Sequence, residues 1–399
     1  MTSIQTGLDV LIADEFRPLR GRRVGLLTNP SAVDARLRSA YRVLADAPQV
    51  DLRALFSPEH GIAAVAADGA AVASGVDART GVPIFSLYGE TLRPTAEMLA
   101  EVDVIVCDVQ DIGVRYYTYA WTVSHVLEAA GEHGVPVIVL DRPNPLDGVS
   151  VQGPLLERAV ASFVGRFPVP VRHGLTLGEL ADMVNATWNA TPAELSVIAC
   201  VGWERAQPWE RLGRPWVPPS PAMAHLSTLH HYAGACLLEG TQLSEGRGTA
   251  LPFEVVGAPW IDGEALADRL NADGWAEPMG ARFRPHVFRP SASKWAGELC
   301  GGVQVHIVDA ARWRPLEVWL GVLVTIYAMH PDRFAWLPEP ESGPHHFDRL
   351  IGGHWVRQQI EAHVRTGRSV REWLAPLAAE WVEDANAFAE QRRPFLRYT

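Results

Sequence analysis

The chain has 399 residues, of which 48% are hydrophobic and 20% charged, and its formal net charge is −11. That length is more than one ordinary core needs, so two domains are expected. The excess of 46 Asp and Glu over 35 Lys and Arg argues against a nucleic-acid partner, since neutralising phosphates takes a concentrated basic face.

The start, "MTSIQTGLDVLIADEF", has no basic opening, long apolar run or small-residue cleavage site. Nor does any uncharged stretch approach the roughly 20 residues that span a bilayer. No membrane partner is expected, and the expected location is cytoplasmic. The four cysteines, Cys107, Cys200, Cys236 and Cys300, form no C-x-x-C pair, which leaves zinc-ribbon and thioredoxin readings unsupported.

Five short apolar runs follow: Arg22–Asn29, Val50–Ser57, Val82–Gly89, Val102–Asp111 and Val135–Pro145. They are apolar nearly throughout, as strands buried on both faces should be. Amphipathic segments such as "RLRSAYRVLADA" and "YAWTVSHVLEAAGEHG" lie between them. The alternation predicts an α/β fold, a parallel Rossmann-like sheet covered by helices. Beyond a boundary expected near residue 150, "LTLGELADMVNATWN" predicts a helix capped by Thr176 and Glu179. "LSVIACVGW" and "GGVQVHIVDA" predict strands, "LEVWLGVLVTIYAMH" a buried helix, and the tail a run of amphipathic helices. The expectation is a Rossmann-like domain over 1–150 and a smaller mixed α+β domain over 151–399.

In a parallel sheet the carboxyl ends of the strands share one edge, where open α/β folds bind ligands. The five runs end in polar residues: Thr28 and Asn29; Glu59 and His60; Tyr88 and Glu90; Asp108, Gln110, Asp111, Arg115 and Tyr116; Asp141, Arg142 and Asn144. Side chains distant in sequence should therefore meet at one crevice. No G-x-G-x-x-G follows the first run and no G-x-x-x-x-G-K-[ST] occurs, so no nucleotide cofactor is expected.

"FSPEHG", Phe56–Gly61, reads as a turn between Pro58 and Gly61 or as a catalytic loop. A carboxyl group at a partly buried strand end can serve as a general acid. In "DVQDIGVRYYTYAW", Asp108 and Asp111 can cap the next helix, but Gln110, Arg115 and the tyrosines beside them suit recognition of a polar ring such as a sugar. "DRPNPLDG" is either a rigid exit loop or a contributor through Asn144. "EGTQLSEGRGTALPFE" sets Glu245 and Arg247 in a glycine-rich frame, where Arg247 can fork onto a carboxylate or make a surface ion pair. His173 in "VRHG" is a ligand or base, or a structural histidine. His225, His230, His231, His345 and His346 have no recognised ligand spacing, so no metal is expected. Trp203, Trp209, Trp216 and Trp260 lie in or beside loops as candidate stacking platforms.

Together "TGLDVL", "VGLLTNPSAVD", "FSPEHG", "SLYG", "DVQDIGVRYYTY", "VLDRPNPLDG", "VRHGLTLGELA", "EGTQLSEGRGTALPFEVVGAP" and "FDRLIGG" resemble, in order, the signature blocks of the NamZ-type exo-β-N-acetylmuramidases. The resemblance runs from Gly7 to Tyr398. It implies a Rossmann-like domain and a smaller C-terminal domain with the site in the cleft between them. It also implies release of N-acetylmuramic acid from the non-reducing end of peptidoglycan fragments, with disaccharides or muropeptides as partners. By the same resemblance Glu59 matches the catalytic glutamate, and His60, Asp108, Asp111, Arg115, Glu245 and Arg247 match cleft-lining positions. Asp108 or Asp111 would be the second carboxylate, and Arg247, then Arg115, would meet the lactyl group of muramic acid. The chain departs from the family pattern at Ile62-Ala63-Ala64, at Ala222 in "SPAMAH" and at Gln242 in "EGTQ". Two rival expectations are a metal-dependent carbohydrate hydrolase or deacetylase and a non-catalytic sugar-binding protein.

Overall fold

The computed structural model describes residues 4–272, 274–367 and 369–399. Its contacts divide the chain into two compact units. The first comprises 1–150, 173–224 and 389–399, the second 151–172 and 225–388. This differs from a single cut at residue 150, because the chain returns to the first unit twice.

The first unit holds a seven-stranded sheet: β1 (Arg23–Thr28), β2 (Asp51–Ser57), β3 (Gly75–Val76), β4 (Pro83–Ser86), β5 (Val104–Asp108), β6 (Val137–Leu140) and β7 (Leu195–Ile198). Their order is β3-β4-β2-β1-β5-β6-β7, all parallel except the short edge strand β3. β7 is the "LSVIACV" run, which pairs with β6 and so belongs to this sheet. Counting parallel strands alone, the order is the 3-2-1-4-5-6 of dinucleotide-binding folds.

All of β5 is buried, with Val104, Ile105 and Val106 at 0% exposure. Each such side chain contributes about 1.5–3 kcal/mol by leaving water. That burial on both faces is why these runs do not alternate. The chain moves outward from β1 to β2 and β4, then crosses back to β5 on the other side of β1. The switch point therefore lies between β1 and β5, where Thr28 pairs with Asp108. Leu27 pairs with both Phe56 and Cys107, so β1, β2 and β5 end level and release their loops together.

The helix Tyr119–His133 follows β5 and ends at Gly134 in the left-handed region, φ 66°. The helix Leu177–Thr187 has the expected capping box between Thr176 and Glu179. The final residues complete this unit. Tyr398 donates to an Asp141 oxygen at 2.5 Å and accepts from the Cys200 N–H at 3.0 Å.

The second unit is built on an antiparallel sheet of β8 (Val255–Ala258), β9 (Ala281–Phe288) and β10 (Cys300–Ile307), in the order β8-β10-β9. The helix Pro315–Met329 is buried from Pro315 to Ile326 except at Glu317, which accounts for its strongly apolar sequence. Three helices, His346–Ile351, Trp355–Thr366 and Val370–Arg392, make up the predicted helical tail. Among the described residues, no helix is long and apolar enough to cross a membrane.

Candidate active site

The loop after β2 turns sharply: His60 and Gly61 both have positive φ, 68° and 83°. The turn buries Glu59 at 7% exposure. Its Oε2 accepts from the Thr118 hydroxyl at 2.6 Å and its Oε1 from the Gly69 N–H at 2.9 Å. The Tyr88 hydroxyl also hydrogen-bonds this carboxylate; burial, then Glu59, push the Tyr88 phenol above its ordinary value. An amide N–H can only donate, whereas a hydroxyl can donate or accept. Oε1 therefore faces a fixed donor, whereas Oε2 faces the Thr118 hydroxyl, which can do either.

His60 braces the same loop. Its Nδ1 lies 2.8 Å from the Ala66 carbonyl, and its own carbonyl accepts from the Val65 and Ala66 amides. A carbonyl only accepts, so Nδ1 carries a hydrogen.

The two aspartates after β5 differ sharply. Asp108, fully buried, gives both oxygens to Arg142, at 2.6 Å to Nε and 3.0 Å to Nη2. Burial alone would lower the Arg142 guanidinium; Asp108 outweighs it and holds Arg142 charged. Asp111 has no such partner. Its Oδ2 accepts from the Gly113 N–H at 2.7 Å, and its buried Oδ1 has no hydrogen-bond partner among the described residues. Burial pushes the Asp111 carboxyl up to about 7.

Beside it, Gln110 donates through Nε2 to the Asp111 and Pro143 carbonyls, which fixes the amide orientation. Its Oε1 is likewise buried without a partner among the described residues. Gln110 and Arg142 line a cavity of about 70 Å³ with Ser31, Asp34, Trp209 and Arg214, room for a few waters.

Tyr119 is buried at the start of the next helix. Burial first, with the Glu59 and Asp111 carboxylates adding, holds its phenol above the ordinary value. Tyr119 donates to the Pro219 carbonyl at 2.6 Å, the same oxygen that accepts from Asn29 Nδ2 at 3.1 Å. Asn29 Oδ1 accepts from Ser31. Asn29 thus ties β1 to the 217–220 loop.

Asn144 is also structural. It donates to the Leu175 carbonyl, caps Leu146 and packs on Gly113, where a Cβ would meet its Oδ1 at 2.4 Å. Gly113 is glycine for that close approach and for its φ of 74°. His173 is buried, and its Nδ1 accepts from the Leu175 N–H at 3.1 Å. Tyr116 and Arg115 are buried in the same loop, and burial lowers the Arg115 guanidinium to about 10.

In the second unit Arg247 is shared between two glutamates. Nη2 lies 2.5 Å from Glu239 Oε1 and Nε 3.3 Å from Glu245 Oε1. Its guanidinium also sits 4.9 Å from the Phe253 ring centre. Lys294 adds a second cation, 2.7 Å from Glu245 Oε2. The forked carboxylate contact expected of Arg247 is met by the chain's own Glu239.

His231 is buried edge-on against Trp313 and Trp319, and burial lowers it to about 3. Among the described residues no three His, Cys, Asp or Glu side chains are grouped to hold a metal ion. Of the loop tryptophans, Trp203 packs on Tyr398 and Trp209 on Trp216, with Trp203 and Trp209 buried, and the half-buried Trp260 packs on His330.

Tyr88 is one of the polar strand-end residues expected at this edge; Thr118, Gly69, Glu239 and Lys294 escaped the sequence reading. Thr118 alone carried a signal, as a hydroxyl at a helix start inside an already suspect stretch.

Models of the N-terminal and C-terminal domains of the exo-β-N-acetylmuramidase NamZ match residues 24–227 and 230–398. The peptidoglycan β-N-acetylmuramidase NamZ of Bacillus subtilis (strain 168) is 40% identical over 395 residues, 99% of this chain and 91% of that protein. The crystal structure of a DUF1343 family protein from Bacteroides fragilis NCTC 9343 matches with a TM-score of 0.89 at 36% identity, covering all of both chains. A second DUF1343 family protein from that organism matches at 0.76 and 29% identity, covering 100% of this chain and 99% of its own. The chain belongs to the NamZ exo-β-N-acetylmuramidase family.

Proposed function

We propose that this protein is a glycoside hydrolase that releases N-acetylmuramic acid from the non-reducing end of peptidoglycan-derived disaccharides or muropeptides, with Glu59 as its general acid. The observation that carries the assignment of Glu59 is its placement. It is a buried carboxyl group at the carboxyl end of β2, beside the switch point, with one oxygen on an amide and the other on a reversible hydroxyl. Family membership and the 40% identical muramidase of B. subtilis support the reaction class.

Glycoside hydrolysis needs an acid for the departing oxygen and a group that stabilises the oxocarbenium-like centre. Asp111 is the better second carboxylate. Asp108 has both oxygens committed to Arg142, whereas Asp111 keeps Oδ1 for a ligand. In a 2-acetamido sugar the substrate's amide can replace an enzyme nucleophile. Asp111 Oδ1 would then accept its N–H, with Gln110 Oε1 as a neighbouring acceptor. The buried Arg115 would recover its ordinary basicity beside the lactyl carboxylate. It ranks ahead of Arg247, whose charge two glutamates already share. Asn29, Asn144 and His173 hold the strand-end loops, and Tyr116 lines them.

The test uses two substrates with Glu59→Gln. A muropeptide-derived disaccharide has a poor leaving group and needs the acid, so turnover should fall by roughly 10²–10⁴. An aryl N-acetyl-β-muramide leaves without protonation, so its loss should be far smaller. Near-normal turnover of the disaccharide would reject the assignment.

A further inference from the structure

We infer that Thr118 is a positioning residue for the acid step, a hydroxyl rotor that lets Glu59 change protonation state without moving. The inference rests on the assignment of Glu59 as the acid.

Thr118 stands at the N-cap position of the helix Tyr119–His133, yet its side chain makes no cap hydrogen bond. A threonine there ordinarily turns its oxygen back onto the first free amides of the helix. This one turns away and reaches Glu59 Oε2 at 2.6 Å, across 59 residues of sequence. Both residues are 7% exposed, so water does not readily replace the bond.

The amide contact of Glu59 cannot play this part. The Gly69 N–H only donates, and it faces Oε1. Tyr88 also hydrogen-bonds the Glu59 carboxylate, and burial first, then Glu59, holds its phenol above the ordinary value. Thr118 is the hydroxyl that stands 2.6 Å from Oε2.

In the resting acid form Oε2–H donates to Thr118 Oγ1, and with substrate bound that hydrogen turns to the glycosidic oxygen. When the departing glycosidic oxygen takes that proton and its bond to the sugar carbon breaks, Oε2 becomes anionic. The Thr118 hydroxyl then turns and donates to it. The new carboxylate gains a hydrogen bond as it forms, and the side chain swings no more than one torsion. Attack by water on the sugar supplies the proton that restores the acid.

Removing the rotor penalises the carboxylate more than the acid, because hydrogen bonds to a charged group are the stronger. The alkaline limb of the pH–rate profile should therefore move up in Thr118→Val. The expected shift on the disaccharide is about one pH unit, with a plateau rate lower by roughly tenfold. Thr118→Ser keeps the hydroxyl and should restore the wild-type limb. Thermal melting of both variants, with the serine protein as reference, separates a damaged fold from a lost rotor. A limb at the wild-type pH in Thr118→Val, or the same shift in Thr118→Ser as in Thr118→Val, would overturn the inference. A fully active Glu59→Gln would remove the acid assignment and this inference together. An inactive Glu59→Gln with an unmoved limb in Thr118→Val removes this inference alone.

Discussion

Asp108 and Arg142 face each other fully buried, with two parallel hydrogen bonds of 2.6 and 3.0 Å. The guanidinium reaches further, donating from Nη1 to the Val33 carbonyl at 3.1 Å. The pair joins the ends of β5 and β6 to the loop after β1. It holds the crevice in shape, and a substrate could claim Asp108 only by stripping Arg142 of its partner.

Replacing Asp108 with alanine should therefore act on stability. The variant leaves a buried guanidinium unpaired, which costs about 3–5 kcal/mol. Denaturant unfolding of wild type and Asp108→Ala at pH 7 measures it. A difference under about 1 kcal/mol would mean that water reaches Arg142.

The parallel sheet was legible because its strands are buried on both faces and so read as unbroken apolar runs. The meeting of Glu59, Asp108 and Asp111 at one edge followed from that sheet, since parallel strands end on one side. The uses of those carboxylates were not legible. Asp108 and Asp111 look alike three positions apart, and only their folded surroundings give one an arginine and leave the other an open oxygen. The donors on Glu59 come from positions 69, 88 and 118, long-range contacts that local pattern does not encode. The 173–224 and 389–399 segments carry no compositional mark of their return to the first unit. What binds them is tertiary: β7 pairing with β6, and Tyr398 on Asp141.

Arg247 balances two glutamates, and its loss should show as a changed acid response. Burial pushes the Glu239 carboxyl up, but Arg247 and His346 outweigh it and hold it well below the ordinary value. A depressed carboxyl stabilises the fold above its unfolded pKa near 4.5, and that contribution disappears as pH falls toward the folded value. Wild type should therefore lose stability between about pH 5 and pH 2. In Arg247→Ala most of that contribution is already gone at pH 7, a loss of about 3 kcal/mol, and the acid slope flattens. Unfolding free energies at pH 7 and pH 4 for both proteins decide this, and parallel slopes would show that Arg247 does not set Glu239. The ratio of turnover on muramic acid to that on N-acetylglucosamine substrates, compared between Arg247→Ala and Arg115→Lys, tells which arginine reads the lactyl group. The larger fall is expected for Arg115→Lys.

Asp111 should show the opposite sign. Its folded carboxyl sits at about 7 against an ordinary 3.8, so the folded protein holds the proton more tightly than the unfolded chain. That contribution is complete below about pH 4 and is lost as pH rises through 7. Three units correspond to about 4 kcal/mol. Asn at this position does not ionise, so Asp111→Asn escapes the loss. Buried Asn leaves its own amide group unpartnered, at a cost that does not change with pH. The quantity to read is therefore the difference between variant and wild type as a function of pH. Measured by denaturant unfolding, it should move in favour of the variant by up to about 4 kcal/mol between pH 4 and pH 8. Turnover of the disaccharide should meanwhile fall at least about a hundredfold, as when a polar group that stabilises a transition state is removed. Stability gained where activity is lost is the pattern of a carboxylate kept buried for its chemistry. A pH-independent difference with normal turnover would return the role of second carboxylate to another residue.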